Sequence, residues 1–408
     1  FLVQAMDPQA SGLVFSWTAN TGTLSTATTA TDTSQVSWTA PACVHSGTTP
    51  LLTASVFNAL GLSATQRFSV TLPACWASAS PMAEVRTLHE ATLLNDGRVL
   101  ASGGHKGGYP SSKTVELYDP GSESWSVARP MIAARKSHTA TLLNDGRVLV
   151  TGGQDDNNYL SSTEVYDPGS DTWSKAGTLS VPRHLHRATL LWDGRVLVTG
   201  GVNGSSAQAS VNVYNPDLNT WSAVAPMSAR RYRHTATLLW DGRVLVMGGA
   251  NIGYLATAEV YDPDLDTWSA AAPMGGPRTF HTATLLWDGR VLVVGGNNTS
   301  TSHLATAQLY DPNLDTWSAA APMAIPRSGH TATLLSDGRV LIAGGFNGEY
   351  LDTAEVYDPA SDTWRMVSMT SARRNHTATL LWDGRVLISG GNNTRNLGTA
   401  ELYTPGPL

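Results

Sequence analysis

One segment recurs along the chain and limits the possible folds more than any other feature. In its clearest copy, residues 234–249 read His-Thr-Ala-Thr-Leu-Leu-Trp-Asp-Gly-Arg-Val-Leu-Val-Met-Gly-Gly. Two β-prone runs flank the Asp241-Gly242 step, and glycine accepts the positive φ that a tight hairpin turn needs. The segment therefore predicts a β-hairpin that ends in a double glycine.

The double glycine occurs seven times, at spacings of 46 to 49 residues, and its copies begin at Gly103, Gly152, Gly200, Gly248, Gly295, Gly344 and Gly390. A variable loop follows each copy, then a strand that ends in tyrosine: Tyr118, Tyr166, Tyr214, Tyr261, Tyr310, Tyr357 and Tyr403. After a turn of the Asp-Pro type, a further strand carries tryptophan: Trp125, Trp173, Trp221, Trp268, Trp317 and Trp364. Each repeat therefore predicts four short strands, the blade of a β-propeller.

The seventh repeat contains no tryptophan strand before Leu408. The missing piece lies ahead of the first repeat, because residues 75–82 around Trp76 match residues 267–274 around Trp268. We expect the strand around Trp76 to complete the last blade. Closure of this kind removes exposed strand edges, which otherwise recruit other chains.

The double glycine, the tyrosine and the tryptophan together resemble the kelch repeat, over residues 74–408. The resemblance implies an all-β fold, a seven-bladed kelch β-propeller similar to the central domain of galactose oxidase. Kelch propellers serve as binding platforms, scaffolds and, in a minority, enzymes. The resemblance therefore implies the fold much more strongly than the function.

Residues 1–73 lie outside the repeats and differ from them in sequence pattern, which predicts a separate small domain. The runs 13–17, 35–38, 52–57 and 66–72 read as strands between polar segments, and no helical period is visible. They resemble bacterial immunoglobulin-like or PKD-like repeats, which implies a small β-sandwich acting as a spacer. We therefore expect two domains, 1–73 and 74–408. The start at Phe1, without methionine or a signal peptide, is typical of a processed form or a fragment.

Charge and cysteine content limit the binding partners and the cellular location that we expect for this protein. The net charge is −6 and only 14% of residues are charged, with no basic block, so nucleic acid is a poor candidate partner. No apolar run approaches transmembrane length. The composition is typical of an extracellular or cell-surface protein, and in that setting Cys43 and Cys75 predict a disulfide, the alternative being two unrelated buried thiols.

The connection between successive repeats carries an Arg-x-x-His sequence in all seven: Arg86/His89, Arg135/His138, Arg183/His186, Arg231/His234, Arg278/His281, Arg327/His330 and Arg373/His376. Seven equivalent histidines are compatible with a metal ring or a general base. Identity in every repeat favours a structural role, in which each histidine makes the same hydrogen bonds and each arginine pairs with turn acids or carbonyls between blades. We expect no metal and no other cofactor.

Residues that differ between repeats are better candidates for recognition, because variation is where a specific site can arise. The pairs inside Arg-x-x-His and the loops after the double glycine should surround the channel mouth on one face. Aromatic and hydrogen-bonding groups there suit a glycan or peptide. The candidates are Lys136, His184, Tyr232, Arg233, Phe280, Arg374, Tyr109, Tyr159, Tyr254 and Tyr350. The alternative for each residue is that it is an ordinary solvent-exposed loop residue that binds no ligand.

The opposite face carries the Asp-Gly-Arg turns, and four of these turns are preceded by tryptophan: Trp192, Trp240, Trp287 and Trp382. Indoles at such tips can contact a partner, in which case self-assembly is one possibility, or they can fold over adjacent turns within the ring.

Galactose oxidase and related copper-radical oxidases share this architecture, so an enzyme is a fair hypothesis. The resemblance to them implies a Tyr-His dipeptide, a crosslinking cysteine within the blades and a histidine from a later domain. The sequence has no Tyr-His dipeptide and no such cysteine, and it ends five residues after Tyr403. We therefore expect a non-catalytic extracellular or cell-surface binding or scaffold protein, with a protein or glycan ligand. The alternatives are a structural subunit of a surface assembly or filament, and a secreted carbohydrate-active enzyme of the oxidase or mutarotase type.

Overall fold

The structure is a computed structural model that describes residues 1–6, 12–39, 49–70, 75–107, 110–298 and 303–406. These ranges contain β-strands, turns and bends, and within them we find no helix that could cross a bilayer. The chain divides into two compact units. One contains Phe1–Ala77 with Tyr403–Leu408, and the other contains Ser78–Leu402.

The first unit is built from short antiparallel strands: β1 (Leu2–Gln4), β2 (Leu13–Ala19), β3 (Thr23–Leu24), β4 (Thr28–Thr29), β5 (Thr33–Gln35), β6 (Trp38–Thr39), β7 (Leu51–Asn58) and β8 (Ser63–Ser69). They form two three-stranded sheets, β1-β5-β4 and β2-β7-β8, and the pair β3-β6. Trp17 stacks on Phe68 with ring centroids 6.2 Å apart. The predicted runs 13–17 and 52–57 lie on β2 and β7. Run 35–38 joins the end of β5 to the start of β6 through two residues outside any strand, and run 66–72 has residues 66–69 on β8, residue 70 after it, and residues 71 and 72 outside the described ranges.

Seven four-stranded antiparallel sheets follow in the described residues, and we number them, with their repeats, one to seven. Sheets one to three contain β10 (Glu90–Leu93), β11 (Val99–Ser102), β12 (Val115–Asp119), β13 (Ser124–Ala128); β14 (Thr139–Leu142), β15 (Val148–Thr151), β16 (Ser162–Asp167), β17 (Thr172–Thr178); and β18 (Arg187–Leu190), β19 (Val196–Thr199), β22 (Val211–Asn215), β23 (Thr220–Val224). Between β19 and β22 lies a small hairpin, β20 (Val202–Asn203) with β21 (Ser206–Ala207).

Sheets four to six are β24 (Thr235–Leu238), β25 (Val244–Met247), β26 (Ala258–Asp262), β27 (Thr267–Ala271); β28 (Thr282–Leu285), β29 (Val291–Val294), β30 (Ala307–Asp311), β31 (Thr316–Ala320); and β32 (Thr331–Leu334), β33 (Val340–Ala343), β34 (Thr353–Asp358), β35 (Thr363–Ser368). The seventh sheet has the order β36 (Thr377–Leu380), β37 (Val386–Ser389), β38 (Ala400–Tyr403), β9 (Trp76–Ala79). Its fourth strand is therefore the segment around Trp76.

The first strands of successive sheets pack side by side in cyclic order, and β10 contacts both β14 and β36. They therefore surround a central channel, as in a β-propeller. Apolar cores lie between neighbouring sheets. The core between sheets four and five, for example, joins Leu245 and Val260 to Val293 and Tyr310. Tyr310 also packs against Trp317 of the next strand, with ring centroids 5.1 Å apart. The tyrosines and tryptophans that mark the repeat thus fill the spaces between sheets.

The double glycine is required because the next repeat packs directly on it. Gly248 has φ +63°, and a Cβ atom there would lie 2.6 Å from Cε1 of His281 and 2.8 Å from the carbonyl oxygen of Arg278. Gly249 has φ +86°, and its Cβ atom would lie 2.9 Å from Cβ of His234 in the same repeat. Any larger residue would push the connecting segments away from the sheet.

The repeated arginines are buried, and five of them pair with a glutamate of the third strand in their own repeat. Arg231, for instance, lies 2.6 Å from Glu259 and donates to the carbonyl of Gly248 at 2.9 Å. The expectation that these arginines pair with turn acids was therefore wrong, because the glutamate inside the repeat is closer. They do donate to carbonyls, as expected, but to carbonyls of their own repeat and not between blades. Arg183 and Arg278 have Asn212 and Gln308 instead of glutamate, at 3.1 and 3.2 Å.

Candidate ligand-binding site

The residues between the repeated arginine and histidine are held in a fixed geometry at the channel mouth. The first of each pair forms a β-bridge with the residue after the double glycine, as Lys136 does with Gln154 and Arg374 with Asn392. The second of each pair has a positive φ of 50° to 62° in every repeat. These seven residues, which we call the amide ring, are Leu88, Ser137, Leu185, Arg233, Phe280, Gly329 and Asn375.

Backbone hydrogen bonds link the amide ring around the channel. The Ser137 amide donates to the Leu88 carbonyl at 2.9 Å, and the Leu88 amide donates to the Asn375 carbonyl at 3.3 Å. Among the described residues six of the seven possible links are made in this sense. At the seventh position the Arg233 carbonyl accepts instead from the Thr279 hydroxyl at 3.4 Å. The left-handed backbone is thus stabilised by neighbours on both sides.

A pocket of about 330 Å³, the outer chamber, opens on one side of the amide ring. It brings together five of the predicted ligand-binding residues: Lys136, His184, Arg233, Phe280 and Arg374. Gln154, Ser328 and Asn375 add hydrogen-bonding groups to its wall. None of the described residues that line it is an aspartate or glutamate, so the chamber has a cationic character.

Aromatic rings hold the two arginines of the outer chamber. The guanidinium of Arg374 lies 4.6 Å from the centroid of Phe346 and 5.3 Å from that of Tyr350. Arg233 contacts Phe280 and Tyr232 in the same way, at 4.1 and 5.6 Å. Burial lowers the pKa of Arg233, and the Tyr232 and Tyr254 hydroxyls oppose that effect. Cation–π contacts of this kind fix a guanidinium without neutralising its charge.

The remaining predicted residues lie around this chamber or outside the described ranges. Tyr159 stacks on His184 with centroids 4.8 Å apart. Burial lowers the pKa of His184, the hydrogen bond with the Val202 carbonyl opposes that effect, and the Arg233 and Lys136 charges lower the pKa further. Tyr254 lies 3.5 Å from the Asn297 amide. Tyr232, Tyr254, Tyr159 and Tyr350 do not line the chamber themselves. Tyr109 and Cys43 lie outside the described residues, so the disulfide to buried Cys75 stays a prediction.

The seven repeated histidines connect neighbouring repeats. Each Nε2 lies at hydrogen-bonding distance from a hydroxyl of the preceding repeat, as in His186 with Thr139 at 3.0 Å and His376 with Thr331 at 3.0 Å. Burial lowers the pKa of all seven, to about 3 for His89 and His330. No group of three metal-binding side chains occurs in the described ranges. The Nε2 contacts give every histidine the same position between two repeats.

On the other side of the amide ring lies a second pocket of about 240 Å³, the inner chamber. It is lined by several of these histidines and by two charged residues that the sequence analysis missed, Glu90 and Arg187. Burial raises the pKa of Glu90 to about 7, against the opposing effect of the Arg187 charge. Aligning the seven repeats would have indicated both residues, because the residue after the histidine is threonine in the other five repeats.

The four tryptophans that precede the Asp-Gly turns, which we call the tryptophan tips, lean toward the following repeat. A Cβ atom on Gly338 would lie 3.0 Å from the Trp287 ring, and one on Gly97 would lie 3.2 Å from Trp382. The tips nevertheless remain 58% to 68% exposed: Trp192, Trp240, Trp287 and Trp382. A pocket of about 270 Å³ lies between Trp192, the Asp241 turn and Pro263.

Solved structures share the fold. A fungal alcohol oxidase of the AA5 family, in complex with copper, matches with a TM-score of 0.68 and 20% identity, over 81% of this chain and 76% of that chain. YjhT matches with a TM-score of 0.57 and 13% identity, over 71% of this chain and 99% of that chain. At these identities the likeness concerns the fold alone.

Comparison with curated proteins finds no sequence match. A family model does match: the KLHDC2/KLHL20/DRC7 Kelch-repeats domain, over residues 88–277 and 229–391, which overlap and together span most of the chain. The four-stranded sheets and the double-glycine contacts fit a kelch β-propeller. The chain belongs to the KLHDC2/KLHL20/DRC7 Kelch-repeats domain family.

Proposed function

We propose that this protein is a non-catalytic binding protein whose outer chamber takes an acidic glycan. One observation carries the proposal: Arg233 and Arg374 hold their guanidiniums on aromatic faces, and neither makes a hydrogen bond or ion pair to a carboxylate within the described residues. Arginine presents a fork of donors that fits a carboxylate or sulfate. An unpaired, partly buried cation is stabilised when a ligand supplies the opposite charge.

The rest of the lining favours a sugar as the carrier of that anion. Ser137, Gln154 and Asn375 offer both donors and acceptors, which sugar hydroxyls require. The rings of Phe280 and His184 line the chamber beside them, and aromatic rings are common next to bound sugars. An acidic peptide would use the same two arginines but would need fewer hydroxyl-matching groups, so we make it an outcome of the test.

We further propose that the seven sheets are the blades of a seven-bladed propeller, preceded by an immunoglobulin-like spacer at the cell surface. The cyclic contacts of the first strands support the blade number. The two three-stranded sheets of the first unit support the spacer. The low charged fraction and the Cys43–Cys75 pair predicted from sequence support an extracellular location.

Calorimetric titration with trigalacturonate tests the binding proposal, with the neutral α-1,4-linked galactotriose as the matched sugar. We expect the acidic trisaccharide to bind and the neutral one to bind about tenfold or more weakly, because only the first pairs with the arginines. Arg233→Gln and Arg374→Gln should each weaken binding by about tenfold. Arg395→Gln removes an exposed arginine from the loop of the seventh repeat and is the control.

Equal affinity for the two trisaccharides, or equal loss in all three variants, would contradict the proposal. An array of acidic peptides run in parallel identifies a protein ligand if only peptides bind. Product analysis after incubation of trigalacturonate addresses the alternative of a carbohydrate-active enzyme. If the protein converts trigalacturonate to a product and Arg233→Gln abolishes that conversion, the chamber is a catalytic site and the proposal of a non-catalytic binding protein is wrong.

The exposed tryptophan tips favour a second candidate function, assembly with another copy of the chain. Three tips lie in the consecutive repeats three to five, and the same repeats expose a leucine in the turn between their last two strands: Leu218, Leu265 and Leu314. Apolar groups that recur on one arc are typical of protein contacts. Asn95, Asn144 and Ser336 occupy the equivalent tip position in repeats one, two and six.

Sedimentation velocity of the wild type and of Trp240→Asn with Trp287→Asn tests this candidate. Asparagine already occupies the position in two repeats, so the variants should fold normally. Concentration-dependent association that the double variant abolishes would support assembly. A monomer at every concentration in the wild type would reject it.

A further inference from the structure

Glu90 and Arg187 occupy the position directly after the repeated histidine, where the other five repeats have threonine. In these five repeats the threonine hydroxyl contacts the histidine of the following repeat. The five threonines at this position all lie 3.0 to 3.2 Å from the histidine of the following repeat: Thr139, Thr235, Thr282, Thr331 and Thr377. In repeats one and three the second strand supplies the hydroxyl instead, from Ser102 to His138 at 3.2 Å and from Thr199 to His234 at 2.9 Å. The hydroxyl–histidine contact between repeats therefore does not require a threonine at positions 90 and 187.

Both charged side chains face the inner chamber, yet they do not pair with each other. No ion pair or hydrogen bond of the Glu90 carboxylate occurs in the part of the chain that the structure describes. Arg187 donates from Nε to the His234 carbonyl at 2.7 Å, which anchors it toward repeat four and leaves its two terminal nitrogens for the chamber. Strand β14 packs between β10 and β18, so one strand separates the two residues.

Two opposite charges held apart in a small chamber favour a ligand that bridges them. Glu90 is half-buried and Arg187 is exposed to the chamber, so a molecule that carries both opposite charges can reach and pair with each of them. The chamber volume of about 240 Å³ lies just below the range of ligand pockets, roughly 300–1,000 Å³, so the ligand must be small. A long peptide or an oligosaccharide does not fit this description.

We propose that the inner chamber binds a small zwitterion of the α-amino-acid class, with its carboxylate on Arg187 and its ammonium group on Glu90. The neighbouring Leu88, Leu185 and Phe280 of the amide ring provide an apolar wall for an aliphatic side chain. This site is distinct from the outer chamber, although the amide ring separates and lines both. Its ligand class does not depend on the acidic-glycan proposal.

Glu90→Thr and Arg187→Thr give a clean test, because each restores the residue that five other repeats carry. Both variants should fold and keep the thermal unfolding temperature of the wild type or exceed it. Thermal-shift measurement with the proteinogenic α-amino acids selects the strongest binder, and titration calorimetry gives its affinity. Thr235→Ser is the matched control, since it changes the same position in repeat four, keeps the hydroxyl that contacts His281 and lies outside the described lining of the chamber.

We expect an aliphatic amino acid such as L-leucine to bind the wild type and Thr235→Ser equally. Either threonine variant should weaken this binding by about tenfold or more. Isopentylamine and 4-methylpentanoic acid, which each retain one charged end of leucine, should bind about tenfold more weakly than leucine. Trigalacturonate binding should be unchanged in both variants, which separates this site from the outer chamber.

Three results would each overturn the proposal. One is the absence of binding by every amino acid tested to the wild type. Another is wild-type affinity in Glu90→Thr or Arg187→Thr. The third is equal affinity for leucine and for either of its singly charged analogues.

Discussion

The guanidinium of Arg233 lies 4.1 Å from the centroid of the Phe280 ring, and these two residues are neighbours in the amide ring from successive repeats. The contact determines where the positive charge lies between the two chambers. We expect Phe280→Leu to keep the apolar volume but release the guanidinium. Trigalacturonate affinity should fall about three- to tenfold, in line with about 0.5–1.5 kcal/mol for a cation–π contact. Calorimetry measures it, and an unchanged affinity would show that the ring does not position Arg233.

Acid should unfold the propeller through its buried histidines. Burial lowers the pKa of these seven residues below the ordinary value of 6.5, to about 3 for His89 and His330. The unfolded chain therefore binds more protons than the folded one below pH 6.5. Stability present above that pH is lost as the pH falls toward 3, by about 2 kcal/mol per histidine at pH 5. Glu90, whose pKa burial raises to about 7, contributes in the opposite direction.

Urea denaturation at several pH values between 7 and 5 measures this slope. His330→Gln should reduce the slope by about one proton, because glutamine does not titrate in this range. A stability that does not change between pH 7 and pH 5 would contradict the prediction.

The buried pair Arg231–Glu259 should contribute stability that depends on pH. Burial alone raises the pKa of Glu259, but the Ser228 amide and the Arg231 guanidinium outweigh it and the net pKa is lowered. Its stabilisation is therefore present above the unfolded value and is lost as the pH falls through the folded one. Glu259→Gln should cost about 1–3 kcal/mol at pH 7 and less near pH 4.

Repeat five offers the reverse experiment. Gln308 occupies the glutamate position, and burial without a carboxylate partner lowers the pKa of Arg278 to about 10. Gln308→Glu should stabilise the protein by about 1 kcal/mol at pH 7, since the carboxylate replaces an amide of the same shape. Chemical denaturation at pH 7 measures the free energy of unfolding of Glu259→Gln and Gln308→Glu against the wild type. A lower free energy of unfolding in Gln308→Glu would contradict a favourable pair.

The double glycine should be intolerant of even a methyl group. Gly248→Ala places a Cβ atom at positive φ and 2.6 Å from the His281 ring, so we expect a loss of about 2 kcal/mol or more. Gly253→Ala is the control, because no atom lies within 4 Å of its Cβ position. A similar unfolding midpoint for both variants in urea would show that the contact is relieved by small movements.

Sequence was sufficient for the repeated parts of the fold, because the same residues meet the same surroundings in every repeat. The hairpin, the Tyr–Trp packing and the order of strands in each sheet all follow from local patterns such as Asp241-Gly242. The convergence of Lys136, His184, Arg233, Phe280 and Arg374 on one chamber also followed, since a cyclic fold places equivalent positions around its axis.

Other features depend on distances that sequence does not contain. The arginine partner was misassigned because Glu259 is 28 residues from Arg231 and comes close only through strand pairing. Glu90 and Arg187 were missed because each looks like an ordinary strand residue until the chamber between the first strands is visible. The positive φ of Phe280, a bulky residue, has no local signal and is enforced by its neighbours.

The amide ring has a consequence for how this family can change its ligand. Almost every backbone N–H and C=O at the second variable position is already engaged with an adjacent repeat, so a bound molecule finds few main-chain groups to contact there. Specificity at this opening is then a property of side chains alone. The two residues inside each Arg-x-x-His sequence give fourteen positions in the seven repeats. Substitutions at these positions could fit a new ligand without altering the sheets that carry them.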